Sequence, residues 1–329
     1  MTGAGAASRQ RTVVAALLVA LVFALLTLRT WGRWGDPIVD VGRDVHAAWS
    51  ILSGKVLYRD VIHNYGPLPV YFLALYFQIF GLGIASLVLM SITAIFAGGV
   101  AVLRIMRHFL SPPLATAALL LFLLEAVFGH YYLNGTFSFW FPYAFAAVWS
   151  IVLALLSAER VISYLRTGRI GHILVASGLA GLTWLCKFEI AAAASATVLI
   201  GLALRREHVN RWLLSFATMS VVPILGFLPF LAVLPLESLI RENLLRPTLV
   251  APGSNPYFLS LLGLDDLGST IGQVAGSLAL WIAMVAAVLL GAMSISRIER
   301  SDRGTWVRHG SSLIPIGVVI AGIALISDP

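Results

Sequence analysis

The sequence predicts an all-α fold: a polytopic integral membrane protein forming a single domain over 1–329, with about nine transmembrane helices. Interfacial helices are expected in its first large outer loop. Three observations predict this class. The chain is 59% apolar and only 11% charged, against roughly 25% charged residues in soluble domains. Its apolar residues gather into runs near 20 residues, the length needed to cross about 30 Å of hydrocarbon. Its Lys and Arg residues fall asymmetrically between the loops these runs define.

Nine runs qualify, at roughly 12–30, 84–103, 113–129, 139–157, 172–186, 190–204, 212–234, 271–295 and 311–327. The first follows Arg9 and Arg11 and ends at Arg29-Thr30-Trp31, with no small-residue cleavage site after it. It reads as an uncleaved helix rather than a signal peptide. With the N-terminus in the cytoplasm, 14 of the 22 Lys and Arg lie inside and 8 outside, which satisfies the positive-inside rule. The segment 68–80 (LPVYFLALYFQIF) is apolar but only 13 residues long before Gly81. Counting it as a span would turn the Arg-rich loops outward, so it is placed along the outer interface, entered through Pro67. The net charge of +7 is accounted for by cytoplasmic loops. No basic, aromatic-interleaved segment suggests nucleic acid. The lone Cys186 allows neither an intramolecular disulfide nor a cysteine metal site.

Residues 31–83 then form one outer loop that crowds charge into an otherwise apolar chain. Asp40, Arg43, Asp44, His46, Lys55, Arg59, Asp60 and His63 all fall within 24 residues of one another. Val45, Ala48, Trp49 and Leu52 recur at helical spacing before Gly54, predicting an amphipathic helix lying on the membrane surface. Asp40 and Asp44, four apart, share a face of that helix if it starts early enough, with Arg43 adjacent. Two carboxylates in a dry pocket repel each other, and at least one then binds its proton more tightly. That tuning suits a general base. The plainer reading is a solvated charged face.

The stretch DVGRD…SGKVLYRDVIHNYGPLPVYFLALYFQIFG resembles the first outer loop of GT-C superfamily glycosyltransferases. The likeness is to bacterial relatives of the protein O-mannosyltransferases and the aminoarabinose transferases. It covers about 45 residues closely, through Asp40, Leu57-Tyr58-Arg59-Asp60, Tyr65-Gly66-Pro67 and 68–81. The resemblance implies a GT-C-like fold and a site at the extracytoplasmic face of the plasma membrane. There a sugar would pass from a polyprenyl-phosphate carrier to the hydroxyl of a lipid, glycan or protein acceptor. It implies a base or positioning role for Asp40, with Asp44 as second choice. The family's acidic pair is often adjacent in sequence and here is not. Arg43, Arg59, Asp60, His63, Asn64 and Tyr65 fall within the same loop as candidate substrate-binding residues. Relatives usually carry more helices or an outer soluble domain, so the chain is expected to be a fragment or a shortened member.

Other candidates lie farther along. Glu125 interrupts an apolar run, and an ionisable group in a membrane span is a functional candidate by default. Lys187 and Glu189 sit between two short runs in WLCKFEIAAA. Two residues apart, they point different ways on a helix, and Lys187 at an outer interface suits an anionic lipid phosphate. The loop 129–143 is rich in aromatics, and 235–270 is a second large outer segment. No His, Cys and Asp cluster has metal-ligand spacing, and no P-loop or GxGxxG occurs. No cofactor is predicted; a divalent cation is left open. Expected partners are the lipid-linked sugar donor, its acceptor and membrane lipids, not nucleic acid. A transporter or lipid flippase, or a non-catalytic membrane scaffold, is the rival reading. A transporter calls for polar groups deep in several helices, whereas the charge here gathers at the outer face.

Overall fold

The computed structural model describes residues 3–33, 40–131, 138–142, 144–241, 266–272 and 275–276. Among the described residues up to 241, ten α-helices follow one another: α1 (Gly3–Thr30), α2 (Asp40–Leu52), α3 (Leu68–Phe80), α4 (Ile84–Arg107) and α5 (Pro112–Leu121), then α6 (Phe145–Thr167), α7 (Ile170–Trp184), α8 (Phe188–Leu204), α9 (Val209–Leu231) and the short α10 (Leu236–Ile240). α5 continues as a π-helical segment, Phe122–Val127. Among the described residues there is no strand, only an isolated bridge between Leu57 and Val61.

The protein is a helical membrane protein. Among the described residues, four helices are long and apolar enough to cross a bilayer: Thr12–Thr30 within α1, α4, α6 and α9. Four shorter apolar helices accompany them: α3, Pro112–Val127, α7 and α8. The expected run 311–327 and nearly all of 271–295 lie outside the described residues, as does most of the 235–270 loop, so the structure supports a helical membrane fold without reaching the expected nine spans.

α6 is the axis. α7 and α8 pack on it, α9 packs on α7, and α4 covers another side. A side chain at Gly181 would meet the Met219 carbonyl at 2.6 Å. This lets α7 and α9 approach as closely as small residues permit in membrane bundles. Ser157 Oγ donates to the Ala176 carbonyl at 2.9 Å, tying α6 to α7. Both termini of α7 are tight turns, Gly168-Arg169 before it and Leu185–Lys187 after it. The arginine-rich ends of α4 and α6 therefore lie at one end of the bundle, and α2 and α3 lie at the other.

At that second end, α2 and α3 pack together over the start of α4, with Val41, Ala47, Ala48, Leu73, Phe77, Leu87, Phe141 and Phe145 buried between them. α3 has the bounds its sequence predicts, with Pro69 in its first turn and Gly81 closing it at φ +87°. α2 differs from expectation. Its inward stripe is Val41, Asp44, Ala47, Ala48 and Ser50, whereas Trp49 and Leu52 are exposed. The apolar face read from the sequence is thus split, and a carboxylate occupies the buried side.

Candidate functional site

Asp44 is 2% exposed. A buried carboxylate needs donors, and two are in place. Its Oδ2 accepts the Phe145 backbone N–H at 3.0 Å, and its Oδ1 accepts Arg43 Nε at 3.3 Å. The first bond explains a gap in the sequence of α6. That helix starts after Ala144, which has no acceptor side chain. An α-helix leaves its first N–H groups unpaired and its N-terminus partly positive. Asp44, 101 residues away in the chain, supplies the missing cap. It binds the surface helix α2 to the bundle axis.

Arg43, held by Asp44, turns to the loop that follows α2. Its guanidinium carbon stands 5.0 Å from the centre of the Tyr65 ring. Lys187 Nζ stands 5.7 Å from the same ring. Both lie within the distance at which a cation is drawn to an aromatic face. His63, 1% exposed, packs between Tyr58 and Tyr65, with ring centres 6.3 and 5.8 Å away. Burial, and next the charge of Arg43, hold its imidazole well below the usual range, at about 4. The Gly66 main chain opposes that shift from outside hydrogen-bond geometry with either ring nitrogen. His63 is therefore neutral at pH 7. Among the described side chains, Arg43 and Lys187 bring two cations to Tyr65, the first of them held by the Asp44 carboxylate.

The backbone that sets this geometry is pinned. Gly66 N–H donates to the Cys186 carbonyl at 2.8 Å, and Leu68 N–H to the Leu185 carbonyl at 2.9 Å. A Cβ at Gly66 would lie 2.2 Å from Leu185 C, so only glycine permits this approach. Tyr58 takes φ +68°, a conformation costly for a bulky residue. It is held there by its N–H to the Val61 carbonyl at 2.9 Å and its hydroxyl to the Tyr65 carbonyl at 2.7 Å. The loop thus rests on the turn between α7 and α8. At 15 and 17 residues, those helices are about 22 and 25 Å long, against about 35 Å for α6. Both fall short of a 30 Å hydrocarbon layer.

The remaining candidates divide as follows. Asp40 is the first residue of α2, one turn before Asp44; its side chain lies outside the described part. Arg59 and Asp60 form an exposed pair, 2.9 Å apart. The Arg59 hydrogen bond, and next that of the Val56 N–H, hold the Asp60 carboxyl down to about 2. The pair closes a local turn and is not among the groups at Tyr65. Asn64 is half-buried beside His63 with its Oδ1 covered. Glu125 lies in the π-helical segment with its side chain exposed, and Glu189 is exposed in the first turn of α8. Neither joins the Tyr65 cluster. Two participants carry no sequence signal of their own, the α6 N-terminus and the carbonyls of Leu185 and Cys186, and Tyr58 stands in the outer-loop motif without a role that the sequence assigns. Among the described residues no group of His, Cys, Asp and Glu is arranged to hold a metal ion.

An apolar cleft of about 190 Å³ opens between α2, the end of α3 and the start of α4, lined by Val41, Gly42, Val45, Phe77, Leu87 and Phe141 among others. It lies against the first turns of α2, within two residues of Asp44 on the chain. Comparison with known proteins adds no relative: no family model, curated protein or solved structure matches the chain.

Proposed function

We propose that the protein is a membrane glycosyltransferase of GT-C type. It would transfer a sugar from a polyprenyl-phosphate carrier to an acceptor hydroxyl at the extracytoplasmic face of the plasma membrane. The observation that carries the reading is the convergence of Arg43 and Lys187 on Tyr65, from opposite sides of a long stretch of chain. Two fixed cations at one ring suit an anion, and the apolar cleft along α2 suits hydrocarbon.

In this proposal Asp40 accepts the proton of the acceptor hydroxyl as its oxygen attacks the anomeric carbon. The bond from that carbon to the phosphate oxygen breaks, and the phosphate leaves with the electron pair, with inversion at the carbon. Arg43 and Lys187 stabilise the charge on the leaving phosphate, where fixed cations contribute most. Asp44, with both oxygens already engaged, orients Arg43 and is a positioning residue. His63, neutral and enclosed, keeps the Tyr65 ring in place without adding charge.

The test is to reconstitute the full chain in lipid nanodiscs with a panel of radiolabelled polyprenyl-phosphate sugars and a membrane extract as acceptor source. Label moving from the lipid donor to a second product, and lost in Asp40→Asn, supports the proposal. Well-folded protein that transfers label from no donor in the panel counts against it.

A further inference from the structure

The end of the bundle away from Tyr65 holds a second charged cluster. Glu159 of α6 is 3% exposed. Arg160 Nε lies 2.6 Å from its Oε2. Arg104 Nε and His108 Nε2, from the end of α4, each lie 3.8 Å from its Oε1. Arg166 donates to His108 twice, to the carbonyl at 2.9 Å and to Nδ1 at 3.0 Å. A guanidinium has donors only, so His108 Nδ1 accepts and the ring's proton sits on Nε2, facing Glu159. His108 is thus a neutral link between Arg166 and the carboxylate. One buried acid therefore organises three arginines from two helices, and positive charge exceeds negative.

Three features say what such a cluster meets. Arg104 keeps about half of its side chain exposed (53%), so part of its donor fork faces outward. Phe109, next to His108, is 70% exposed; a ring so placed is stable against lipid, which sets the arginines at headgroup depth. Among the described residues the connections at this end are short, 108–111, 168–169 and 205–208, and these offer little surface to a soluble partner. An anion reaching Arg104 arrives sideways, in the plane of the leaflet.

We propose that Arg104, Arg160 and Arg166, arranged by Glu159, bind the phosphodiester headgroup of an anionic phospholipid in the leaflet facing away from the Tyr65 site. This goes beyond the glycosyltransferase reading and does not rest on it.

Native mass spectrometry of the purified full chain, offered phosphatidylglycerol or phosphatidylcholine, tests it. The wild type is expected to retain one phosphatidylglycerol at least about fivefold over phosphatidylcholine, a preference that falls about fivefold in Arg104→Gln and weakens with salt. Arg104 is the variant of choice because it is half exposed and its loss leaves Arg160 on Glu159. Arg104→Lys should keep part of the preference. Equal retention of both lipids, or an unchanged preference in Arg104→Gln, overturns the proposal. Displacement of the lipid by equimolar glycerol phosphate also overturns it, since the site would then be one for a soluble anion. A preference lost in Lys187→Ala but kept in Arg104→Gln would place the lipid at the other end and is equally fatal.

Discussion

His63 sits in a pocket suited to a neutral ring, and that makes a prediction with a definite sign. In the unfolded chain an imidazole binds its proton near pH 6.5; in the folded protein it does so only at about 4. Between these values the unfolded chain holds more protons, so acid favours unfolding. The contribution is intact above pH 6.5 and is lost progressively as pH falls towards 4, by about 3 kcal/mol in all. His63→Phe keeps an aromatic ring between Tyr58 and Tyr65 but cannot be protonated. Its thermal midpoint should fall less than the wild type's from pH 6.5 to 4; identical falls would show that His63 is not the group responsible. Asp44 gives a second prediction at this scale. Asp44→Asn retains an oxygen for the Phe145 N–H and should fold. Asp44→Ala removes the cap of α6 and leaves Arg43 without its carboxylate, at a cost of at least about 1–3 kcal/mol. A denaturant or thermal series in detergent distinguishes them, and equal stability of the two variants would deny the cap its role.

Among the elements, the loop 57–68 is where local sequence and long-range packing meet. Gly66→Ala puts a methyl into the Leu185 backbone and should separate the loop from the α7–α8 turn. Overpacking of this kind typically costs about 1–3 kcal/mol, and here it also parts Lys187 from Tyr65. A lowered melting temperature, together with weaker donor binding, is the expected result; a normal Gly66→Ala protein would mean that the two backbone bonds are dispensable. Parts of this arrangement are legible in the sequence. α3 is readable because its apolar run is bracketed by prolines and Gly81. α2 is readable as a helix but not in its orientation. Amphipathicity assigns charge to water and Trp49 and Leu52 to the membrane surface, whereas Asp44 is buried by a partner that only the fold brings near. Nor does any local pattern announce that Lys187 faces Tyr65, because the two come together through backbone carbonyls that every residue possesses. The π-helical turn carrying Glu125 is equally silent, since its apolar composition fits an unbroken α-helix.

For the whole molecule, the two ends of the bundle differ in chemistry. One carries α2, α3 and the Tyr65 cluster; the other carries the arginines of α4, α6 and the turn before α9. Ile62 is exposed at the first end and Thr167 at the second. With the buried Cys186 replaced by serine, single cysteines at these positions should be labelled by an impermeant reagent from opposite sides of the membrane, with Ile62→Cys reached from outside. Labelling of both from one side would break the fold's division into two ends, and labelling of Ile62→Cys from the cytoplasm alone would put the cluster on the wrong side for the proposed donor. The composition and the length of the runs made the membrane class readable. The shortness of α7 and α8 was readable too, but not that their shared turn holds the loop carrying Tyr65.

Donor-dependent release of polyprenyl phosphate by the reconstituted protein is the most direct measurement of the central proposal, taken for the wild type beside Lys187→Ala, Lys187→Arg and Asp40→Asn. The wild type should release the lipid phosphate from at least one polyprenyl-phosphate sugar. Lys187→Ala should raise the donor KM about tenfold, in keeping with about 1.5–3 kcal/mol for a charged hydrogen bond. Lys187→Arg should recover part of it, because a point contact depends on charge more than on fork geometry. Asp40→Asn should leave the donor KM near normal and lower turnover by at least about a hundredfold, the loss expected when a general base is removed. Release that is absent from the wild type, or identical in all four proteins, would contradict the account.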